Sequence, residues 1–290
     1  MVLKIRHFSA CSHTVKRGKI ANTLFRTTLA LTGYFNWIQQ MAQQNAIKHL
    51  ETFGYCLIED AIPAAQADTM AAKYFQLHRD PANRDAFQDP NDELYQTLFG
   101  VVNLDEMCWE CIAHPQVLQV VRHFLGDNPR LGEACTKWVK PRAPQGGIHS
   151  DSTHDLPARL PETPWMINSI WMITDFTVEN GATLVVPFSH RARRSPSASD
   201  IAESHPVPIC GRRGSVLLWH GGTWHGQGEN TTEDQHRMAL NIAYYPPWWN
   251  LMREGGHQPV FPETFARMPE DLQALVRHKV AKRRADIYEF

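Results

Sequence analysis

The spacing of apolar positions divides the chain into a helical N-terminal part and a strand-rich middle. Apolar residues recur at helical spacing over residues 37–51, and the segment FGYCLIEDAIP (53–63) then has the composition of a strand that ends in a turn. An alanine-rich helix is predicted to follow and to end at Pro81, because proline cannot continue a helix. A further helix is predicted over residues 109–125. These segments indicate a layer of helices ahead of the β-rich part.

Short runs of β-branched and aromatic residues, separated by Pro, Gly and Asn, dominate the middle of the chain. The runs are CTKWVKP (135–141), MINSIWMITDF (166–176), ATLVVP (182–187), GSVLLWHG (214–221) and RMALNIAYY (237–245). Their close succession favours an antiparallel sandwich or barrel over alternating β-α units. Helical spacing returns in the tail. The predicted fold class is therefore α+β with a mainly β core, a barrel over about residues 130–250 that N-terminal and C-terminal helices support.

Composition excludes several classes of partner. The 290 residues carry a formal net charge of -1, so the basic surface of a nucleic-acid-binding protein is not expected, and the longest apolar runs are too short for a membrane span. Six cysteines are too few for a disulfide scaffold in a chain of this length, and Cys108 and Cys111 are predicted to share one buried helix face. Reduced thiols predict a cytoplasmic location.

The first 50 residues are basic and contain no Asp or Glu before Glu51. A targeting segment has such a composition, but a hydrophobic stretch followed by a cleavage site is not evident. The favoured interpretation is a basic N-terminal extension over residues 1–36, followed by one domain over residues 37–290.

The segment GGIHSDSTHDL (146–156) holds the main candidate chemistry. His149 and Asp151 form a His-x-Asp pair in the loop after the first predicted barrel strand, and His154 and Asp155 follow closely. A non-heme iron site needs such a pair and one distant histidine, which leaves three coordination positions open. His-x-Asp occurs again at residues 78–80, but there it lies at a predicted helix end, where a histidine is common without a metal.

The distant histidine has two candidates, His220 and His225, in GSVLLWHGGTWHGQGENTTEDQHR. Arg237 opens the next strand-like run, and its guanidinium suits the far carboxylate of a 2-oxo acid. Two other functions remain open from these residues. One is a zinc-dependent hydrolase built on His149, Asp151 and His154, with Asp155 nearby, and the other is a barrel that binds a small molecule without catalysis.

Three segments together carry a family resemblance, strongest over residues 145–245. GGIHSD, NSIWMITDFTVENGATLVVPFSHR and GSVLLWHGGTWHGQGENTTEDQHRMALNIAYY resemble the phytanoyl-CoA dioxygenase-like branch of the iron(II)- and 2-oxoglutarate-dependent oxygenases. The resemblance implies a double-stranded β-helix, or jelly-roll, fold. It also implies a dioxygenase that uses iron(II), 2-oxoglutarate and dioxygen to hydroxylate or otherwise oxidise a C–H bond of a small molecule, with release of succinate and carbon dioxide.

Residue by residue, the resemblance implies that His149, Asp151 and His225, in preference to His220, bind the metal and are catalytic. Arg237 is implied to bind the distal carboxylate of 2-oxoglutarate, and Thr183 and Trp171 to flank the co-substrate. The carboxylate at residue 151 favours hydroxylation over halogenation. Phe188 stands where the family usually has glycine. No motif selects a substrate or an oligomeric state.

Overall fold

The computed structural model describes residues 44–151, 159–248 and 258–281. The helices are short and lie mostly before the barrel strands or after them. They are α1 (44–53), α2 (Ala64–Arg79), α3 (Val101–Leu104), α4 (Met107–Ile112), α5 (Pro115–Leu125), α6 (Ala198–Glu203), α7 (Pro262–Phe265) and α8 (Glu270–Val276). None of the helices in these ranges has the length and apolar character that crossing a membrane would require.

The helix predicted over residues 109–125 is two helices. α4 ends at Ile112 and α5 begins at Pro115, where the missing amide hydrogen and fixed φ of proline suit a first helical position. His114 between them is extended and accommodates the turn. Cys108 and Cys111 are both buried in α4, in agreement with their predicted common face.

Nine strands in the described part of the chain form two antiparallel sheets. Their bounds are β1 (Tyr55–Ile58), β2 (Tyr95–Leu98), β3 (Arg130–Val139), β4 (Ile167–Met172), β5 (Thr183–Val185), β6 (Val207–Ile209), β7 (Val216–His220), β8 (His225–Gln227) and β9 (Arg237–Tyr245). The large sheet has the order β1-β7-β4-β9-β3-β2, and the small sheet has the order β6-β5-β8. The predicted mainly β antiparallel core with supporting helices is confirmed.

Side chains of the large sheet alternate between two cores, as the period of a strand requires. One face packs against the helices, and its residues include Ile167, Trp171, Leu218, Leu240 and Ile242. The other face packs against the small sheet, with Ile170, Met172, Leu217, Trp219 and Ala239 meeting Val185 and Ile209. We call this second face the inner face, because it lines the space between the two sheets.

Backbone pairing of the small sheet continues beyond the ends of β5 and β8. Asn180 pairs with Asn230 through an isolated antiparallel bridge. Gly181 beside it has φ +87, and a Cβ there would lie 2.7 Å from the carbonyl oxygen of Gly228. This turn therefore requires glycine, and it delivers the chain directly into β5.

The proposed boundary between the basic extension and the domain falls at residues 36 and 37, outside the described residues, and stays a prediction. The second His-x-Asp pair lies at the end of α2, as expected. His78 is buried there with its Nε2 2.9 Å from Oγ1 of Thr136, and Asp80 caps the helical turn that follows.

Candidate metal and co-substrate site

The backbone brings His149 and His225 together directly. The two residues form an isolated antiparallel bridge in which His149 N donates to His225 O at 2.9 Å and His225 N donates to His149 O at 2.8 Å. Asp151, two residues later, donates its own N–H to the carbonyl of Gly221 at 3.0 Å. The loop after β3 is thus fixed against the start of β8, although His149 and His225 are 76 residues apart along the chain.

The side chains of these three residues converge. One potential ligand atom from each lies within 4.8 Å of the others. Nε2 of His149 is 3.9 Å from Oδ1 of Asp151, and Nε2 of His225 is 3.6 Å from Oδ2. Two imidazole nitrogens and one carboxylate oxygen form the donor set of a non-heme iron site.

Each histidine also has the tautomer that metal binding requires. Nδ1 of His149 lies 2.9 Å from the carbonyl oxygen of Gly147, and Nδ1 of His225 lies 2.9 Å from that of Thr223. A carbonyl only accepts, so Nδ1 carries the proton in both rings and Nε2 keeps its lone pair. The residues present therefore fit an iron(II) ion.

The strands behind Asp151 hold its carboxylate. Oδ2 accepts a hydrogen bond from Nδ2 of Asn168 at 2.6 Å and another from Nε1 of Trp219 at 2.9 Å. Burial acts to raise the pKa of Asp151, but the two imidazoles and these hydrogen bonds outweigh it and lower the pKa. The carboxyl is consequently ionised at neutral pH.

His225 is buried, and burial lowers its pKa even though Asp151 acts in the opposite direction. A neutral imidazole is the form that binds a metal without first releasing a proton. His149, in contrast, is largely exposed, so one side of the site opens to solvent.

Arg237 lies at the start of β9 and points to the inner face, two residues before Ala239. The residue is 2% exposed, and its Nε and Nη1 have no hydrogen-bond partner among the described residues. Its guanidinium carbon lies 4.4 Å from the centroid of the Phe176 ring. Burial lowers the pKa of Arg237 to about 10, which leaves the side chain charged at neutral pH. Unpaired buried donors of this kind need an anion.

Thr183 shares a sheet face with His225. In the small sheet Thr183 pairs with Gln227 while Val185 pairs with His225, and directly paired antiparallel residues point to the same side. Val185 belongs to the inner core, so the buried side chain of Thr183 also faces the space between the sheets.

Trp171 lies on the other side of the large sheet, which corrects its expected position. It pairs with Leu240 on β9 and packs in the helix-side core, where its ring centroid is 5.3 Å from that of His114. The neighbours of Trp171 on β4, Ile170 and Met172, are the residues that face inward. A strand has period two, so an assignment displaced by one residue selects the wrong face.

His220 is not brought to the three converging residues. It alternates with Trp219 on β7 and so faces away from the inner core, and its Nδ1 accepts a hydrogen bond from Gly222 N at 2.8 Å. Its ring instead meets His190 at a centroid distance of 5.5 Å. His154 and Asp155, which the hydrolase alternative requires, lie outside the described residues.

Sequence reasoning missed Asn168 and Trp219, whose contact with Asp151 arises only when distant strands are brought together. It placed Lys137 in a predicted strand and assigned it no role. Lys137 pairs with Ala239 and therefore points to the inner face. Lys137 shares its strand face with Cys135 and Val139, each two residues away.

Residues 50–239 match the family model of phytanoyl-CoA dioxygenase (PhyH). The chain belongs to the phytanoyl-CoA dioxygenase family. This membership confirms the predicted family and the predicted enzyme class, an iron(II)- and 2-oxoglutarate-dependent dioxygenase.

Relatives of this phytanoyl-CoA dioxygenase family member include dioxygenase af480 of Aspergillus fumigatus, 28% identical over 79% of this chain and 72% of the relative. Among solved structures, HygX from Streptomyces hygroscopicus with nickel and 2-oxoglutarate bound has a TM-score of 0.58 at 16% identity, covering 74% of this chain and 92% of HygX. The 2-oxoglutarate-dependent carbocyclase SnoK has a TM-score of 0.58 at 20% identity, with 74% and 92% covered. These two structures support the fold.

Proposed function

We propose that this dioxygenase hydroxylates an unactivated C–H bond of a small molecule, with His149, Asp151 and His225 as the iron ligands. Arg237 is assigned to the distal carboxylate of 2-oxoglutarate, and Thr183 to the wall of the co-substrate pocket. The observation that carries the proposal is the convergence of two Nε2 atoms and a carboxylate within 4.8 Å, with both Nδ1 atoms tied to backbone carbonyls.

Iron(II) held by these residues supplies, together with 2-oxoglutarate and dioxygen, the oxidant for the hydroxylation, and succinate and carbon dioxide are released. The chain contributes position and exclusion of water. The hydrogen bonds from Asn168 and Trp219 orient Asp151. Arg237 offers a charged fork of donors, and apolar residues of the inner face, such as Ile170 and Met172, keep bulk water away.

A small organic molecule is the proposed substrate. A structure of HygX contains hygromycin B, which supports this size class for a protein of the same fold. We also propose a cytoplasmic location. It is supported by the five cysteines in the described ranges, all of which are free thiols.

The test is an anaerobic titration of the metal-free protein, first with iron(II) and then with 2-oxoglutarate, monitored by the visible charge-transfer absorption of the ternary complex. The wild type is expected to develop this band. His225→Ala is expected to lose it, and Arg237→Ala is expected to need at least about tenfold more 2-oxoglutarate, because a charge-assisted pair is lost.

His220→Ala is the matched control for His225→Ala. His220 is also a buried histidine, but its side chain points away from the inner face of the large sheet. A band that His225→Ala retains and His220→Ala loses would contradict the ligand assignment. Absence of the band in the wild type, together with tight zinc binding, would contradict the proposed function and favour the hydrolase.

A further inference from the structure

The indole of Trp219 contacts two of the three proposed metal ligands. Its Nε1 donates to Oδ2 of Asp151 at 2.9 Å, and its ring centroid lies 4.8 Å from that of His225. Indole is among the most easily oxidised side chains of proteins. The Asp151 carboxylate also stabilises the cation that remains when the indole loses an electron, because opposite charges attract strongly in a buried site. Trp219 is therefore placed to give an electron to an oxidant generated at the metal.

Tyr55 connects Trp219 to the protein surface. The two residues are cross-strand partners in β1 and β7, and both pack in the inner core. Since the Cβ atoms of such a pair are only about 4.5–5.5 Å apart, their rings are neighbours. β1 lies at an edge of the large sheet, where Tyr55 is partly exposed, whereas Trp219 is buried. The Tyr55 ring also meets the exposed imidazole of His49, at a centroid distance of 5.1 Å.

The position of His149 makes the metal site accessible when no substrate is bound. This proposed ligand is exposed, so 2-oxoglutarate and dioxygen can reach the metal from solvent whether or not a substrate is present. An oxidant formed without a substrate has only the surrounding side chains to attack, and these include the ligand imidazoles. A supply of electrons from the surface would spare them.

We propose that Trp219 and Tyr55 form an electron relay that reduces the oxidant when no substrate is bound and so protects the metal ligands. The inference rests on the proposed function, because iron(II), 2-oxoglutarate and dioxygen supply the oxidant. Trp219 gives up one electron and recovers it from Tyr55. Tyr55 releases its phenolic proton to solvent and becomes a neutral tyrosyl radical, which a one-electron reductant of the ascorbate class converts back to tyrosine.

The electrons balance after the relay has operated twice. One oxygen atom of dioxygen enters succinate, and the other takes two electrons from the relay and two protons from solvent to form water. Ascorbate returns one hydrogen atom to Tyr55 each time. In total, 2-oxoglutarate, dioxygen and two ascorbate ions give succinate, carbon dioxide, water and two ascorbyl radicals. Burial raises the pKa of Tyr55, so the phenol keeps its proton at neutral pH until it is oxidised.

The experiment exposes the full chain, loaded with iron(II) and 2-oxoglutarate but given no substrate, to dissolved oxygen. Freeze-quenched samples are examined by electron paramagnetic resonance, with ring-deuterated tyrosine to identify a tyrosyl signal. Mass spectrometry of peptides measures the oxygen added to Trp219. The wild type is expected to form a tyrosyl radical that ascorbate removes. Tyr55→Phe is expected to lose this radical and, with ascorbate present, to accumulate several-fold more oxygen on Trp219.

Tyr245→Phe is the matched control. The charge of Asp151 acts on the buried phenol of Tyr245 as well, but Tyr245 lies on β9 and pairs with Arg130 rather than with Trp219. This variant is expected to keep the radical. Tyr55→Trp retains an oxidisable ring and is expected to keep the oxygen added to Trp219 near the wild-type level.

A tyrosyl radical that Tyr55→Phe retains would overturn the relay, as would equal oxidation of Trp219 in Tyr55→Phe and the wild type. A wild type that binds 2-oxoglutarate, as judged by the charge-transfer band, but forms no succinate without a substrate would also overturn it, because the relay then has no oxidant to reduce. Absence of the band in the wild type would instead contradict the proposed function itself, an outcome that does not depend on Tyr55.

Discussion

At the scale of single residues, the position of the Asp151 carboxylate depends on side chains that do not bind the metal. Asn168 and Trp219 both donate to Oδ2, from adjacent strands β4 and β7. Two fixed donors on one oxygen restrict rotation of the carboxylate, and they leave Oδ1 on the side of His149. Partners of this kind orient a ligand before the metal arrives and so reduce the entropic cost of binding it.

Removing either donor should therefore weaken iron binding. Asn168→Ala and Trp219→Phe are each expected to lower the affinity for iron(II) by about 10- to 100-fold, the range typical of residues that orient a ligand. Anaerobic equilibrium dialysis of the metal-free protein measures this directly.

Trp224→Phe serves as the control for Trp219→Phe. Nε1 of Trp224 donates to the carbonyl of Arg194 rather than to a proposed metal ligand. Trp224→Phe therefore also removes one indole hydrogen bond, but not one to Asp151. An equal loss of iron affinity in the two tryptophan variants would show that general destabilisation, and not orientation of Asp151, is responsible.

The three converging residues could be predicted from the sequence, whereas the residues that orient them could not. His149 and Asp151 are two positions apart, and His225 lies in a recognisable Trp-His-Gly segment. Asn168 and Trp219 are 17 and 68 residues from Asp151, and nothing local distinguishes them from other strand residues. Only the pairing of β4 with β7 places them side by side.

At the scale of the element, the alternation of side chains along a strand decides which residues can reach the co-substrate. Trp171 faces the helices, whereas Thr183 faces inward with His225. Trp171→Phe is therefore expected to lower the free energy of unfolding by about 1–2 kcal/mol, because a buried ring becomes smaller, without changing 2-oxoglutarate affinity.

Thr183→Val tests a residue that faces the space between the sheets, in contrast to Trp171. It keeps the shape of the side chain but removes the hydroxyl, and it is expected to weaken 2-oxoglutarate binding by about threefold to tenfold. Chemical denaturation and the anaerobic 2-oxoglutarate titration, applied to both variants, measure the two effects separately. Weaker 2-oxoglutarate binding in Trp171→Phe with unchanged binding in Thr183→Val would reverse the assignment of faces.

Most strands could be predicted from their composition, including the short β1 and β5, whereas β2, β6 and β8 could not. β4, β7 and β9 lie in β-branched or aromatic runs of five or more residues, and the run CTKWVKP covers only the second half of β3. β8 is His225–Gln227 and β6 contains a proline, so local propensity gives no reason to expect a strand at either place. Pairing with β5 on both sides makes them strands, which is a tertiary effect.

At the scale of the whole molecule, packing of helices and loops on the outside of the barrel buries two histidines that have no role in the proposed chemistry. His78 at the end of α2 is packed between Trp138 and Phe87. His220 lies at the end of β7 between Trp165 and His190. Burial lowers the pKa of His78 to about 4 and that of His220 to about 3.

These two lowered pKa values predict how stability depends on pH. Unfolded histidines take up protons below about pH 6.5, whereas the native residues remain neutral down to about pH 4 and about pH 3. The stabilisation is fully present above about pH 6.5 and is lost as the pH falls toward those values, by up to about 1.4 kcal/mol per pH unit for each histidine. The double variant His78→Asn/His220→Asn should therefore lose less stability than the wild type between about pH 7.5 and about pH 5.

Urea unfolding at the two pH values, with a chelator present to remove metal, gives the comparison. Glu133 is present in both the wild type and the double variant. Burial raises its pKa to about 7, and its contribution to the pH dependence of stability has the opposite sign to that of the histidines. This contribution cancels when the two proteins are compared. His205→Asn, at an exposed histidine, is expected to follow the wild type. A double variant that loses as much stability as the wild type on acidification would mean that His78 and His220 do not set the acid sensitivity of the folded chain.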